Sequence, residues 1–375
     1  MPQRGDPRVL AVLGALARGA LGEGYDPDVP ERMLSTTDHL ASDAQRSQIL
    51  GVLRAADSRA GALALTGRST PVSWLGRAEA ERLLQKWSGS RFAFQRQLAG
   101  TITSLALSAL YGYPGPEWER IGYPGPLGPP PDVANPLEPL TVDHDQVIDC
   151  DVVLVGSGAG GGCVADHLSA QGLDVVVLEK GDYYGPRDFT HLEPEATRNM
   201  YLYGMTLATS DLGCRIIAGS TLGGGTVVNY TTSFRTPPYV LRQWAEESGI
   251  DAFVSGEIES YLDEMAARVD VNTDSSAAGK RDALMEEGLK KLGWHVDMMP
   301  RSVKGCTQDE QCGYCGFGCR VGAKQSRTLL QAAADNGARL IVDVDVRRVK
   351  ISDGRAHGVE AVTTDGHRVT VNAKA

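Results

Sequence analysis

The chain lacks the features that an exported or membrane-spanning protein shows first. No apolar run reaches the length a bilayer requires, and no positively charged start leads into a short apolar stretch. Neither a transmembrane helix nor a secretory leader is expected. The nearest approach, Phe92–Tyr111, is broken by Gln95, Arg96, Gln97 and several Thr and Ser; it reads as a buried amphipathic helix. Positive charge is short as well: 37 Lys and Arg against 47 Asp and Glu give a net charge of −10, which disfavours nucleic acid as a partner. Cysteine is scarce and odd in number, seven in 375 residues, which suits a reducing compartment better than a disulfide framework. The expectation is a cytoplasmic protein, with peripheral membrane contact at most. A hydrophobic content of 42% is enough for the cores of two or three domains.

The most informative stretch is Asp151-Val-Val-Leu-Val-Gly156-Ser-Gly158-Ala-Gly-Gly161, followed by Leu-Asp-Val-Val-Val-Leu-Glu179. It reads as strand, glycine turn, helix, strand, acid, the order a dinucleotide site needs. Gly156 lets the chain turn off the strand, Gly158 leaves room for a pyrophosphate against backbone, and Gly161 lets the helix lie close on the sheet. The phosphates would sit on the free N–H groups of the helix start. Glu179 would accept hydrogen bonds from a ribose diol, and its charge disfavours a 2′-phosphate. A second cluster, Gly219-Ser-Thr-Leu-Gly223-Gly224-Gly225-Thr226-Val-Val-Asn229, cannot pack as the interior of a regular element. It suits a loop pressed on a flat ligand or a diphosphate, with Thr226 and Asn229 as polar contacts, and the flanking Ile216, Ile217, Val227 and Val228 argue for burial.

Before this unit, residues 1–111 form a helical segment with apolar stripes at Val9, Leu10, Val12, Leu13 and Leu16, at Ile49, Val52, Leu53 and Ala56, and at Leu75, Ala78, Ala80, Leu83 and Leu84. Residues 112–145 hold Gly-Tyr-Pro-Gly-Pro twice and Pro129–Pro131, and read as an extended linker without helix. Residues 146–375 form the nucleotide unit. Within them Trp244, Ile250, Phe253 and Tyr261 are expected in a core, and Arg281–Leu292 reads as an amphipathic helix. Near the end, strands at 346–352, 358–363 and 367–372 are joined by Asp353-Gly354 and Asp365-Gly366, giving an antiparallel β-meander.

Together these motifs resemble the glucose–methanol–choline (GMC) flavoprotein oxidoreductases, and among them the long-chain fatty alcohol oxidase branch. The resemblance covers roughly residues 148–375, and the helical N-terminal segment is similar to what that branch carries. Gly219–Asn229 matches the family's first signature, departing from it at Ser220 and Ser233. Cys312-Gly-Tyr-Cys315-Gly-Phe-Gly-Cys319, with Gly322-Ala-Lys324-Gln325-Ser326, is similar to the fatty-alcohol branch in particular. The resemblance implies an α/β fold: an FAD-binding, Rossmann-like domain of the glutathione-reductase type with a β-meander, in which residues 236–325 are partly a substrate-side insertion. It implies FAD as cofactor and hydride transfer from an alcohol carbon. Gly156, Gly158 and Gly161 would hold the pyrophosphate and Glu179 the adenosine ribose. Gly224, Gly225, Thr226 and Asn229 would run beside phosphates and flavin, and Val346 would offer backbone to the adenine.

The family's catalytic histidine and its partner lie in the C-terminal half, beyond the meander, and are absent here. His39, His144, His167, His191, His295, His357 and His367 read as surface or packing residues, so no catalytic residue is assigned. The chain reads as the N-terminal part of an alcohol oxidase: either an enzyme, or a non-catalytic FAD-binding fragment that needs a companion C-terminal chain. Cys306, Cys312, Cys315 and Cys319 could hold zinc or an iron–sulfur cluster, although Asp309 stands where a ferredoxin-type run needs cysteine. Reduced thiols or one local disulfide are equally compatible. Cys150, Cys163 and Cys214 read as small buried apolar residues.

Overall fold

The computed structural model describes residues 6–36, 43–126, 128–209, 213–275, 279–306 and 312–375. The chain divides into two compact units, residues 1–126 with 192–217, and residues 127–191 with 218–375. His39 and Asp309 lie outside the described residues.

The first unit is helical. Helix Pro7–Leu21 opens on Asp6, whose side chain accepts from the Arg8 N–H, with Pro7 preset at the first position. Its apolar stripe is completely buried at Val9 and Val12 and nearly so at Leu13 and Leu16, whereas Leu10 is half-buried. Helices Arg77–Ser88 and Ala93–Tyr111 pack on it. At the crossing a Cβ on Gly19 would stand 2.6 Å from the Ala80 backbone, so glycine sets how close the helices come. The third stripe is buried as expected at Leu75, Ala80, Leu83 and Leu84 but not at Ala78. The second, on helix Asp43–Ala56, is not: Ile49 and Val52 are 40% and 39% exposed, and only Ala56 is fully covered.

The Pro/Gly stretch is not helix-free. Residues Pro116–Ile121 form a short helix, since Pro at its start needs no N–H partner and Gly122 closes it in the left-handed conformation. Gly125 then lies against the Trp118 ring. The end of the stretch also has a structural task. The Leu140 N–H donates to Leu340 O at 2.8 Å, and Leu140 O accepts from Val342 N at 3.1 Å, so it extends a sheet of the second unit.

That unit is three-layered. Strands β1 (Gln146–Cys150), β2 (Val152–Val155), β3 (Val175–Leu178), β4 (Val271–Asn272), β5 (Arg301–Ser302), β6 (Arg339–Ile341), β7 (Val344–Ser352), β8 (Arg355–Thr363) and β9 (Arg368–Ala373) follow in order. β2, β3 and β6 form a parallel sheet in the order β2-β3-β6. β7, β8 and β9 form the expected meander, which β1 joins by pairing parallel to β9. The unbroken apolar run of β3 has one physical reason: both its faces are covered. Val175 and Val177 meet Ala165, Leu330 and Ala333 of the helices Ala159–Ala170 and Thr328–Asp335. Val176 and Leu178 meet Val359, Ala361, Val369 and Val371 of the meander.

Residues 236–300 depart from expectation. Trp244, Ile250 and Tyr261 are 43%, 50% and 57% exposed rather than core. Helices Glu257–Arg268 and Lys280–Lys291 bury no residue fully. An apolar periodicity shows that a helix has an apolar face and not that anything covers it. Here the contacts are local, such as Trp244 against Phe253, or polar, such as the Arg268 ion pair with the buried Asp166.

Candidate dinucleotide site

The two glycine clusters fold against each other at the end of the parallel sheet. Gly156 leaves β2 at φ +92°, which favours glycine. A Cβ on Gly161 would fall 2.0 Å from Gly156 O, so the helix seats directly on the turn. Gly224, at φ +57°, brings its α-carbon so close to Gly158 that a Cβ would lie 2.9 Å from the Gly158 α-carbon. A Cβ on Gly219 would lie 2.4 Å from Gly224 O, and one on Gly181 2.1 Å from Ser220 O. These glycines serve backbone-to-backbone packing.

Other glycines face open space. A Cβ at Gly156, Gly158, Gly160 or Gly225 would meet no atom within 4 Å. The helix Ala159–Ala170 has no side-chain cap on its first turn, and Ala159 and Gly160 are exposed. Free N–H groups, the positive end of a helix dipole and open glycines are the requirements of a pyrophosphate. The residues present therefore fit a dinucleotide.

Glu179 follows β3 and is buried, 6% exposed. Its Oε2 accepts from Ser157 N at 3.0 Å and from Ser157 Oγ at 2.5 Å, and its Oε1 accepts from Gly181 N at 3.0 Å. Ser157 Oγ in turn accepts from Gly223 N at 2.9 Å. Glu179 thus ties both glycine loops together and has little accepting capacity left for a ribose. Thr226 is also turned inward: its Oγ1 lies 2.6 Å from Gly223 O and 2.9 Å from Ser326 O. Asn229 is exposed and accepts from Thr231 N at 3.0 Å. Val346 is half-buried on β7, the edge strand of its sheet, just beyond Asp343 and Val344, whose N–H groups bond Gly181 O and Glu179 O.

Val227 and Val228 are buried, as the flanks of the second cluster predict, but Ile216 and Ile217 are 42% and 55% exposed. They belong to the first unit, so their proximity in sequence carried no information about this loop.

Three residues to which the sequence assigns no role complete the site, Lys324 among them from the branch motif. Ser157 occupies a variable position of the fingerprint. Lys324 reaches under the short helix Gly225–Val228 and donates to Val227 O and Asn229 O, each at 2.6 Å, and to Cys315 O at 3.0 Å. Burial draws its pKa down to about 8, against the opposing pull of the Cys315 and Cys319 thiols. Arg327 donates through Nε to Leu222 O at 2.6 Å and stacks on Tyr183, 4.7 Å from the ring centre.

The cysteine-rich loop lies on the segment 186–191. His191 stacks on Tyr314 at 4.6 Å and contacts Gly318 O at 3.2 Å; burial and nearby Arg320 lower its pKa to about 4. Arg320 donates to Phe189 O at 2.6 Å. Cys315 lies 3.7 Å from Arg301 Nη2, and burial raises its thiol pKa. Cys306, Cys312, Cys315 and Cys319 are free thiols, and no metal-sized group of three or more His, Cys, Asp or Glu occurs among the described residues. Cys150 and Cys163 are half-buried, whereas Cys214 is exposed, contrary to its expected burial.

The other described histidines are engaged elsewhere. His167 contacts Gln171 on the outer helix face and His144 contacts Asp143. His295 and His357 are exposed, and His367 sits at a hairpin. No helix among the described residues is long and apolar enough to cross a membrane.

Fold and site define a Rossmann-like dinucleotide-binding protein; residues 154–213 match the profile of an NAD(P)-binding Rossmann-like domain. Residues 197–375 match that of GMC oxidoreductases. The chain belongs to the GMC oxidoreductase family, and its cofactor is FAD. It is 39% identical over 222 residues to a long-chain-alcohol oxidase of Arabidopsis thaliana, covering 58% of this chain and 29% of that protein. A second from the same plant is 32% identical over 315 residues, covering 68% and 43%. An uncharacterized GMC-type oxidoreductase of Mycobacterium tuberculosis is 36% identical over 254 residues, covering 65% and 40%. Among solved structures, a formate oxidase of Aspergillus oryzae aligns at TM-score 0.42 and 16% identity, covering 60% of this chain and 44% of that one. The chain thus spans less than half the length of these relatives.

Proposed function

We propose that this chain is the FAD-binding part of an oxidoreductase that acts on the CH–OH group of a long-chain alcohol. The observation that carries the reading is the open, uncapped cradle made by two interlocked glycine loops, within a chain of this family. When bound, the flavin supplies the hydride acceptor. The chain's own residues hold it. The N–H groups at Ala159 and Gly160 and the open faces of Gly156, Gly158 and Gly225 receive the pyrophosphate. Glu179 and Ser157 fix the distance between the loops, and Lys324 anchors the helix Gly225–Val228 that borders them. The substrate class rests on the relatives' names.

A second reading is an FAD-binding chain without catalysis of its own, which needs a companion chain. It is favoured by the histidines, since each described one has an engagement outside the cradle or is exposed and no general base is assigned. A visible spectrum of the purified chain, before and after a long-chain alcohol without oxygen, tests both. A flavin band that bleaches supports the enzyme. A band that stays supports the companion-dependent chain. Protein that remains colourless after reconstitution with FAD refutes both.

A further inference from the structure

The buried polar atoms without a hydrogen-bond partner among the described residues include one that is permanently charged, Arg327 Nη2. The residue is partly exposed, but this nitrogen is sealed from solvent. A buried cation without a counter-ion is costly, and proteins tolerate it where an anion arrives later. No ion pair to Arg327 occurs among the described residues. The nearby carboxylate, Asp188, favours the charged form of Arg327 without an ion pair to it among the described residues; its Oδ2 accepts from Gly185 N at 2.8 Å and from Asn135 Nδ2 at 2.7 Å. Desolvation lowers the Arg327 pKa to about 10, so it stays charged at neutral pH.

Its place connects it to the cradle. The Nε bond to Leu222 O sets the guanidinium at the base of the second glycine loop. The side chain crosses behind Gly223, where a Cβ would lie 3.1 Å from Arg327 Cγ. The next residue, Gly224, is the one pressed on Gly158. Arg327 also precedes the helix Thr328–Asp335, which packs on the fingerprint helix through Leu330 and Ala165. It is therefore a cation one residue behind the phosphate-facing surface.

We propose that Arg327 is the charged anchor of the cofactor's pyrophosphate, held on Tyr183 and Leu222 O without a direct ion pair until the diphosphate arrives. This rests on the FAD reading and adds a residue the fingerprint does not contain. It gives a double signature. Neutralising Arg327 removes a desolvation cost from the empty protein while weakening the loaded one.

The test uses the full chain and its R327M and R327K variants. FAD and riboflavin, which lacks phosphate, are titrated by flavin fluorescence, and the melting temperature is measured without ligand. R327M should bind FAD roughly 10- to 100-fold more weakly. Its riboflavin binding should be unchanged and its ligand-free melting temperature no lower than wild type. R327K should recover part of the FAD affinity. Wild-type affinity in R327M, or equal losses for FAD and riboflavin with a lowered melting temperature, would make Arg327 a structural residue and overturn the assignment. A wild-type chain that takes up no FAD overturns the cofactor reading, and the assignment with it.

Discussion

The glycine cradle and the segment 236–300 belong to the same unit and are built on opposite principles. In the cradle, backbone meets backbone at contact distance, and Glu179, Ser157 and Gly223 form one buried chain of hydrogen bonds. In the segment, aromatic and aliphatic side chains stand in solvent: Trp294 and Leu284 are 66% and 70% exposed. The cradle has few apolar side chains and is rigid through sterics and satisfied polar groups. The segment has many and gains little from them. What separates the two is coverage, not hydrophobicity, because burial free energy is collected only where another surface closes on the apolar one.

The largest effect should come from adding a methyl group where the cradle has no room. Gly161→Ala puts a carbon 2.0 Å from Gly156 O, a backbone atom that cannot swing aside. The helix must lift off the turn, at a cost of about 3 kcal/mol or more. Urea unfolding should show the second unit destabilised or absent from the soluble fraction. Near-wild-type stability would mean that the helix start is free to shift, and the cradle would lose its claim to rigidity.

Next comes Glu179→Ala. It strands two buried backbone N–H groups, Ser157 and Gly181, and leaves the Ser157 hydroxyl without its acceptor. The expected loss is about 2–4 kcal/mol, with weaker FAD binding following from the loosened loops. If Glu179 serves only the ribose, stability stays put and FAD affinity alone falls.

These two cases also mark what could be read from the sequence. The fingerprint, the Val175–Leu178 run and the meander were legible because each is local: a period, a spacing or a turn dipeptide within about 25 residues. Glu179 was found for the same reason, but its bonds were not. Ser157 gains its role from Gly223, 66 residues away. Arg327 gains its role from Leu222, 105 residues away. Leu140, in a proline-rich stretch read as connector, pairs with Ile341 across the fold. The failures run the other way. Trp244, Ile250, Tyr261, Ile49 and Val52 are read from their local surroundings alone, and each stays between 39% and 57% exposed.

Gly160→Ala separates ligand space from packing space. Gly160 lies in the first turn of the helix, and a Cβ there meets nothing within 4 Å. Alanine should raise stability by about 0.5–1 kcal/mol through the unfolded state. If the open face is where the pyrophosphate lies, FAD binding should weaken in the same variant, read by fluorescence titration. Stability rising with affinity unchanged would place the phosphates elsewhere on the cradle.

The smallest effect is expected in the segment 236–300, where Leu284→Ser and Trp294→Ser remove side chains that water already reaches. Each should change unfolding free energy by no more than about 0.5 kcal/mol. The same replacement at Leu330, 2% exposed between the fingerprint helix and the sheet, should cost several times that, about 2–5 kcal/mol. Urea denaturation of the three variants measures the contrast directly. A loss of 2 kcal/mol or more at Trp294 would mean that another surface covers it in solution, and the distinction between an interlocked cradle and an uncovered segment would fail at the residue that states it most strongly.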